Sequence, residues 1–469
     1  MWEYSPALET PGSIGIDSRH ELFIGGRWCA PRSGCYFDTE SPSREEKLSE
    51  ISLGGAIDVD DAVRAARFAY DKYWRPMRGR ERAKILFRVA SAIQEKAHEL
   101  AVVESMNGGK PVRESRDVDL PLTAAHFFYH AGWADKLDYA FHGRTPRSIG
   151  VAALLVPWNV PLLAAARKLG PALACGNTVV LKPAKSTALT ALRLARILEE
   201  TDVPPGLVNV VTGGEETGAA LAAHPGVDKV SFTGGAEAGK RLAKALAGTK
   251  KRLSVELGGK ASNIVFGDAP IDQAVDGILG GTSFSRLLVE ESVHDQVVSK
   301  LRRRMDSLRV GDPLDKNTDV GAIHSRARLD ELRALVADGE ASGAVRYASP
   351  CALPAKGYWF PPTLFTNVGP TSRLAREEIF GPVLSILTFR TPDEAIEMAN
   401  HTMDGLSAGV WTDKGAKALW MAQRLRAGIV WANAARKFDP SVPFGGYKES
   451  GFGREGGRQG LHDYVELCG

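Results

Sequence analysis

Apolar positions fall into two kinds of run along this chain. Early on they recur at helical spacing, over residues 58–74, opened by Asp58, and over 80–106, closed by Asn107-Gly108-Gly109. From residue 148 the pattern changes to short apolar strands separated by helical segments. "VAALLV" (151–156) leads through a Pro-rich turn to a helix near 161–174, then "NTVVLKP" (177–183) and a helix over 187–200. "GLVNVVTGG" (206–214) precedes a helix near 215–223, and "KVSFTGG" (229–235) precedes one over 236–247. Strand–helix alternation at this spacing predicts a parallel sheet wrapped by helices. A second alternating region spans about 262–440 with no Gly/Ser or Pro-rich linker before it, which predicts lobes joined by chain crossings. The expected class is α/β.

Length supports that division, since 469 residues exceed what one core holds. Composition is ordinary, at 44% hydrophobic and 25% charged, and the formal charge of +3 is spread along the chain. That balance excludes nucleic acid and anionic membrane as principal partners. The apolar stretch 151–176 contains Asn159, Arg167 and Lys168 and reads as core, not as a membrane span. The first twenty residues show no basic-then-apolar pattern, so they are expected to be a loose arm and not a signal peptide. Cys29, Cys35, Cys175, Cys351 and Cys468 have neither disulfide-framework nor metal-ligand spacing; they read as free thiols of a reducing, cytoplasmic compartment.

Three strand ends look suited to a dinucleotide. Gly213-Gly214 with Gly218, and Phe232-Thr233-Gly234-Gly235 with Gly239, follow strands and open helices, where backbone can approach phosphate and free N–H groups point outward. Lys182 adds a cation at the carboxyl end of a strand. Taken singly, each is also explained by an ordinary turn or a solvated lysine.

"VPWN" (156–159), "LKPAKST" (181–187), "FTGG" (232–235), "ELGGKASNIVF" (256–266), "EEIFGPVL" (377–384), "GLSAGVWT" (405–412) and "PFGGYKESGFGRE" (443–455) stand in an order that resembles the aldehyde dehydrogenase superfamily, from Leu22 to the C-terminus. The resemblance implies a Rossmann-type dinucleotide-binding domain (21–125 and 149–257), a catalytic α/β domain (258–445) and bridging segments for oligomerisation (126–148 and 446–469), after an arm at 1–20. In that family a cysteine thiolate attacks an aldehyde, hydride passes to NAD or NADP, and glutamate-activated water hydrolyses the thioester. Carried onto this chain, Glu256 is the general base and Asn159 the oxyanion donor. Val156, Trp158, Lys182, Lys185, Gly213, Gly218, Phe232 to Gly235, Leu257, Glu378 and Phe380 are the cofactor-binding positions, with Lys182 and Glu378 on the ribose rings. Packing alone also accounts for Trp158 and Phe380, and a turn role for Asn159. No metal is implied.

The pattern breaks in "GGTSFSRLLVEES" (280–292). The family places its cysteine, within F-x-N-x-G-Q-x-C-x-A-x-S-R, just before the strand that starts here at Ser285-Arg286. This chain has a shortened interval there and no cysteine between Cys175 and Cys351. Thr282, Ser283 and Ser285 are the nearby hydroxyls, but an alcohol is far less acidic than a thiol of pKa ~8.5 and has no histidine beside it here. Cys351, before Ala-Leu-Pro, is a poor substitute. Lys185 stands where the family often has Glu, which suits the NADP phosphate or a lapsed site, and Gly235 stands where Ser is common. Two readings follow. One is a catalytically inactive homologue acting as an oligomeric or partner subunit, as a homodimer, a homotetramer or beside an active aldehyde dehydrogenase. The other is an active NAD(P)-dependent aldehyde dehydrogenase whose cysteine loop is absent from these 469 residues.

Overall fold

The computed structural model describes residues 6–9, 14–280 and 286–468. Two sheets organise it. The first has a parallel centre of Arg252–Leu257, Lys229–Gly234, Val151–Leu155, Thr178–Lys182 and Val208–Val210, in that order. Antiparallel strands cover its edges, Gly451–Phe452 on one side and the hairpin Leu22–Ile24 with Arg27–Cys29 on the other. The second sheet runs Val345–Ala348, Thr363–Thr366, Val383–Phe389, Arg286–Glu290, Ser262–Val265, Ser407–Trp411 and Ile429–Ala432, parallel except for its first pair. The expected α/β class is what forms.

Strands Val151–Leu155 and Thr178–Lys182 are buried along their whole length, as continuous apolar runs in a doubly covered parallel sheet should be. Helices Gly79–Glu95, Leu120–Ala134 and Pro161–Ala174 pack together on one face. Trp74 is fully buried there and its indole N–H donates to the Leu173 carbonyl at 3.1 Å.

Several boundaries differ from the sequence reading. The run 80–106 is two helices, Gly79–Glu95 and Ala97–Gly108, because Lys96 leaves helical geometry and the second helix turns onto Leu189–Glu200. The segment 126–148 begins inside Leu120–Ala134, with Phe127 and His130 in the core, and only Thr145–Ser148 extends as a strand. That strand pairs antiparallel with Val465–Cys468, which follows a 3-10 turn at Gln459–Tyr464. The described part of the N-terminal arm is tied down: the Ala7 N–H donates to Asp315, Glu9 meets Arg116 and Lys316, and Arg19–His20 joins a sheet with Glu46–Ser52.

Strand order fixes where a ligand belongs. From Val151–Leu155 the chain runs outward through Thr178–Lys182 and Val208–Val210, then returns to the opposite side as Lys229–Gly234 and Arg252–Leu257. Ligands of such sheets bind beyond the carboxyl ends at this switch point.

Candidate active site

Both glycine clusters sit on that carboxyl edge. Gly214 caps helix Glu215–Ala223 and Gly235 caps Ala236–Leu246, so each helix directs free N–H groups at the crevice. A Cβ on Gly213 would overlap the Thr217 hydroxyl, which donates to the Gly54 carbonyl at 2.6 Å. A Cβ on Gly218 would lie 3.1 Å from Leu155, with the Lys182 stem just behind. Gly239 is likewise closed over by Leu257, and Gly234 by the Phe232 ring. Glycine is required here for close packing as much as for turning. The Thr233 hydroxyl is buried without a partner among the described residues.

Lys182 ends its strand nearly buried, and its carbonyl accepts from the Val156 N–H at 3.2 Å. Burial lowers its amine to about 8, with Glu215 opposing that shift and Lys185 adding to it. Lys185 is exposed, its ammonium over the Phe37 ring at 4.9 Å. Two cations therefore flank this mouth of the crevice.

Asn159 follows the Val151–Leu155 strand and is anchored from behind. Lys110 donates to the Asn159 carbonyl at 3.3 Å and to Glu104 at 2.9 Å, and it also bonds Asp119. Glu104 in turn accepts the Leu162 N–H, so a buried charge triad grips both ends of the turn. Beside it Trp158 stacks on His324, ring centroids 3.6 Å apart, and meets Phe380 edge-on at 4.8 Å. Burial lowers the His324 imidazole to about 4, so it is neutral.

Glu256 stands opposite Thr233, the next strand from Leu155 but one, so its carboxyl emerges on the same edge. It is buried, and its Oε1 has no partner among the described residues. Burial first, and then the Glu455 carboxylate, push its pKa well above the usual range against the pull of Lys168, Arg167 and Arg454. Lys168, itself fully buried, bonds Glu455 and donates to the Ser231 hydroxyl at 2.8 Å. Glu378 lies in the open crevice against Gly258, where any Cβ would overlap its Oε2, and it accepts the Gly259 N–H. Val156 and Leu257 are buried behind these groups.

Across the crevice, helix Ile271–Leu279 ends and strand Arg286–Glu290 begins, so residues 280–285 carry the whole connection. Thr282, Ser283 and Ser285 lie outside the described residues. Arg286 is buried and bonded to the Ser262 hydroxyl and to the carbonyls of Ala375 at 3.4 Å and Ala399 at 3.3 Å, which locks the strand's start. No described thiol reaches this crevice. Cys175 is buried at the C-terminal end of helix Pro161–Ala174, its thiol directed at the Leu461 carbonyl at 3.8 Å and pushed up to about 12 by burial. Cys351 follows the outermost strand of the second sheet, three strands from Arg286–Glu290, or about 14 Å at ordinary strand spacing.

Sequence reasoning passed over Lys110, Lys168, His324 and the role of Glu455. The signal available was the Arg167-Lys168 pair on a largely apolar helix at 161–174. Among the described residues no group of His, Cys, Asp or Glu could hold a metal, and no helix is long and apolar enough to cross a membrane.

Residues 28–468 match the Aldehyde dehydrogenase family. Retinal dehydrogenase 2 of Homo sapiens is 40% identical over 95% of this chain and 90% of its own. Among solved structures, the NAD+ complex of aldehyde dehydrogenase from Bacillus cereus superposes with a TM-score of 0.94 at 34% identity, covering 99% of this chain and 98% of that one. The P. syringae indole-3-acetaldehyde dehydrogenase AldA, a cysteine-to-alanine mutant in complex with NAD+ and IAA, superposes with a TM-score of 0.92 at 38% identity over 96% of each chain.

Proposed function

The chain belongs to the aldehyde dehydrogenase family, and from that premise we propose that it binds NAD or NADP at the carboxyl edge of the first sheet and oxidises an aldehyde to a carboxylic acid there. The observation that carries this reading is Glu256, a carboxyl group buried at a strand end with one oxygen unpartnered among the described residues. Such a group costs stability and is retained where a proton must be taken up.

Bound at this edge, a nicotinamide cofactor would supply the hydride acceptor. Lys182 and Glu378 are suited to its ribose hydroxyls, the Gly213–Gly214 and Gly234–Gly235 turns to its phosphates, and the Trp158–Phe380 block to its ring. The unpartnered Thr233 hydroxyl and the burial-weakened Lys182 amine also favour an occupied crevice. Asn159, gripped by Lys110, would donate to a developing oxyanion. Glu256 would accept the proton, and the Lys168–Glu455 pair behind it would hold its charge in balance. NAD+ bound to the cysteine-to-alanine relative supports cofactor binding without the thiol.

A second reading is favoured by one specific observation: no cysteine stands between Cys175 and Cys351. On that reading the chain is a non-catalytic subunit of a homodimer, a homotetramer or a mixed assembly. The two-stranded ribbon of Thr145–Ser148 and Val465–Cys468 leaves strand edges on which another subunit could pair. The free thiols fit a reducing cytoplasm on either reading.

The test is nicotinamide reduction by the purified chain with a panel of aldehydes and each cofactor, after intact mass is compared with the 50.5 kDa of these residues. Turnover supports oxidation. A heavier native mass would reveal a further loop, and binding without any turnover would favour the subunit reading.

A further inference from the structure

We infer that this chain oxidises aldehydes in their hydrated form, without a covalent enzyme intermediate, with Glu256 taking the hydroxyl proton. The inference rests on the functional reading above and names the chemical species that reading acts on.

Hydride can leave only from a tetrahedral carbon bearing an oxygen that can close to a carbonyl. A thiolate makes such a carbon by adding to the aldehyde. Water makes the same kind of carbon by itself, since aldehydes in solution stand in equilibrium with their gem-diols. For the diol R–CH(OH)2 the step is complete: Glu256 removes one hydroxyl proton, the O–H electron pair becomes the second C–O bond, and the C–H pair leaves as hydride to the oxidised nicotinamide. The other hydroxyl stays in the acid product. The sum is R–CH(OH)2 + NAD(P)+ → R–COOH + NAD(P)H + H+, the proton passing from Glu256 to solvent.

The first-sheet side of the crevice holds the groups that this step needs. The unpartnered Oε1 of Glu256 and the turn carrying Asn159 share one sheet edge, and on this reading Glu256 accepts from one hydroxyl while Asn159 donates to the other. The sequence offers no thiol between Cys175 and Cys351; the first is buried at the end of helix Pro161–Ala174 and the second follows an edge strand of the second sheet. The charged groups acting on Glu256 are Glu455, Lys168, Arg167 and Arg454. The raised pKa makes oxidation climb with pH as Glu256 ionises, and makes the carboxylate a stronger base once formed.

The experiment uses the whole chain, NAD+ or NADP+, and acetaldehyde added in two ways at low temperature, where hydration is slow: fresh from anhydrous solvent, or pre-equilibrated in buffer. Nicotinamide fluorescence should rise at once with the pre-equilibrated solution and after a lag with the fresh one, the lag matching the hydration time measured separately. Glu256→Gln should abolish the signal and leave the calorimetric affinity for NAD+ within about 2-fold, a difference of ~0.4 kcal/mol. Intact mass after quenching should show no acyl addition. Equal or faster onset with fresh aldehyde, an acyl adduct, or turnover surviving in the Glu256→Gln variant overturns the inference and leaves aldehyde oxidation standing. Cofactor binding with no turnover in either arm overturns it in favour of the subunit reading. Absence of cofactor binding overturns the functional reading itself.

Discussion

The two sides of this crevice differ in how their residues are held. On the first-sheet side, Asn159, Lys182, Thr233 and Glu256 each stand at or just beyond the end of a parallel strand, fixed by register and by glycines with no room for a side chain. On the second-sheet side, the nucleophile expected from the family would have to come from residues 280–285, a connection between helix Ile271–Leu279 and strand Arg286–Glu290. That strand pairs with Ser262–Val265 and Val383–Phe389, and Arg286 closes its start onto Ser262. Chemistry placed on strand ends is protected by the packing that makes the sheet, whereas chemistry placed on a connection can be lost with the fold intact.

The comparison can be broken from either side. The largest expected effect is on stability. Arg286→Met strips partners from Ser262 and from two buried carbonyls, and should cost about 3 kcal/mol in chemical denaturation. A loss below about 1 kcal/mol would mean that the strand is not held this way. Next is Lys182→Met, which should weaken cofactor binding by roughly 10- to 100-fold in calorimetry, the value of a hydrogen bond from a charged donor. An unchanged affinity would remove Lys182 from the site. A smaller effect is expected from Lys185→Glu, which should shift preference away from NADP by about 5-fold at most because the side chain is exposed.

Glu256 supplies a test by pH. Its folded-state pKa is raised, so the carboxyl keeps its proton to higher pH in the native protein than in the unfolded chain. Its contribution to stability is therefore fully present below the unfolded pKa of about 4.3 and is lost as pH rises. Glu256→Gln should match the parent in acid and exceed it increasingly towards alkaline pH in thermal melts. Equal pH profiles would show that the carboxyl is not strained by burial. The smallest effect belongs to Cys351→Ser, which should leave any turnover within about 2-fold, since that thiol lies some 14 Å across the sheet.

Much of this was legible in the sequence, for reasons that also mark where legibility stops. Apolar runs ending in glycine located the strand ends, so Lys182 and both glycine turns could be named from local pattern, whereas Glu256 came from the family resemblance. The break at Lys96 could not be named, because Gln94 to Glu99 include no glycine or proline to end a helix. Lys168 was visible as a misplaced charge, but its partner Glu455 stands 287 residues away. The same distance problem hid His324 under Trp158. Residues 1–20 read as a loose arm because they show no basic-then-apolar pattern, yet Glu9 pairs with Arg116 and Lys316, far along the chain. Pairings between distant segments are set by the assembled fold, and a local pattern does not carry them.

Calorimetric titration of the purified chain with NAD+ and with NADP+ tests the central claim most directly, that the strand-end side of the crevice is built for a dinucleotide although no cysteine stands between Cys175 and Cys351. The expected result is saturable binding of one cofactor per chain, weakened by Lys182→Met and indifferent to Cys351→Ser. A flat titration with both cofactors, on protein that unfolds cooperatively, would contradict it.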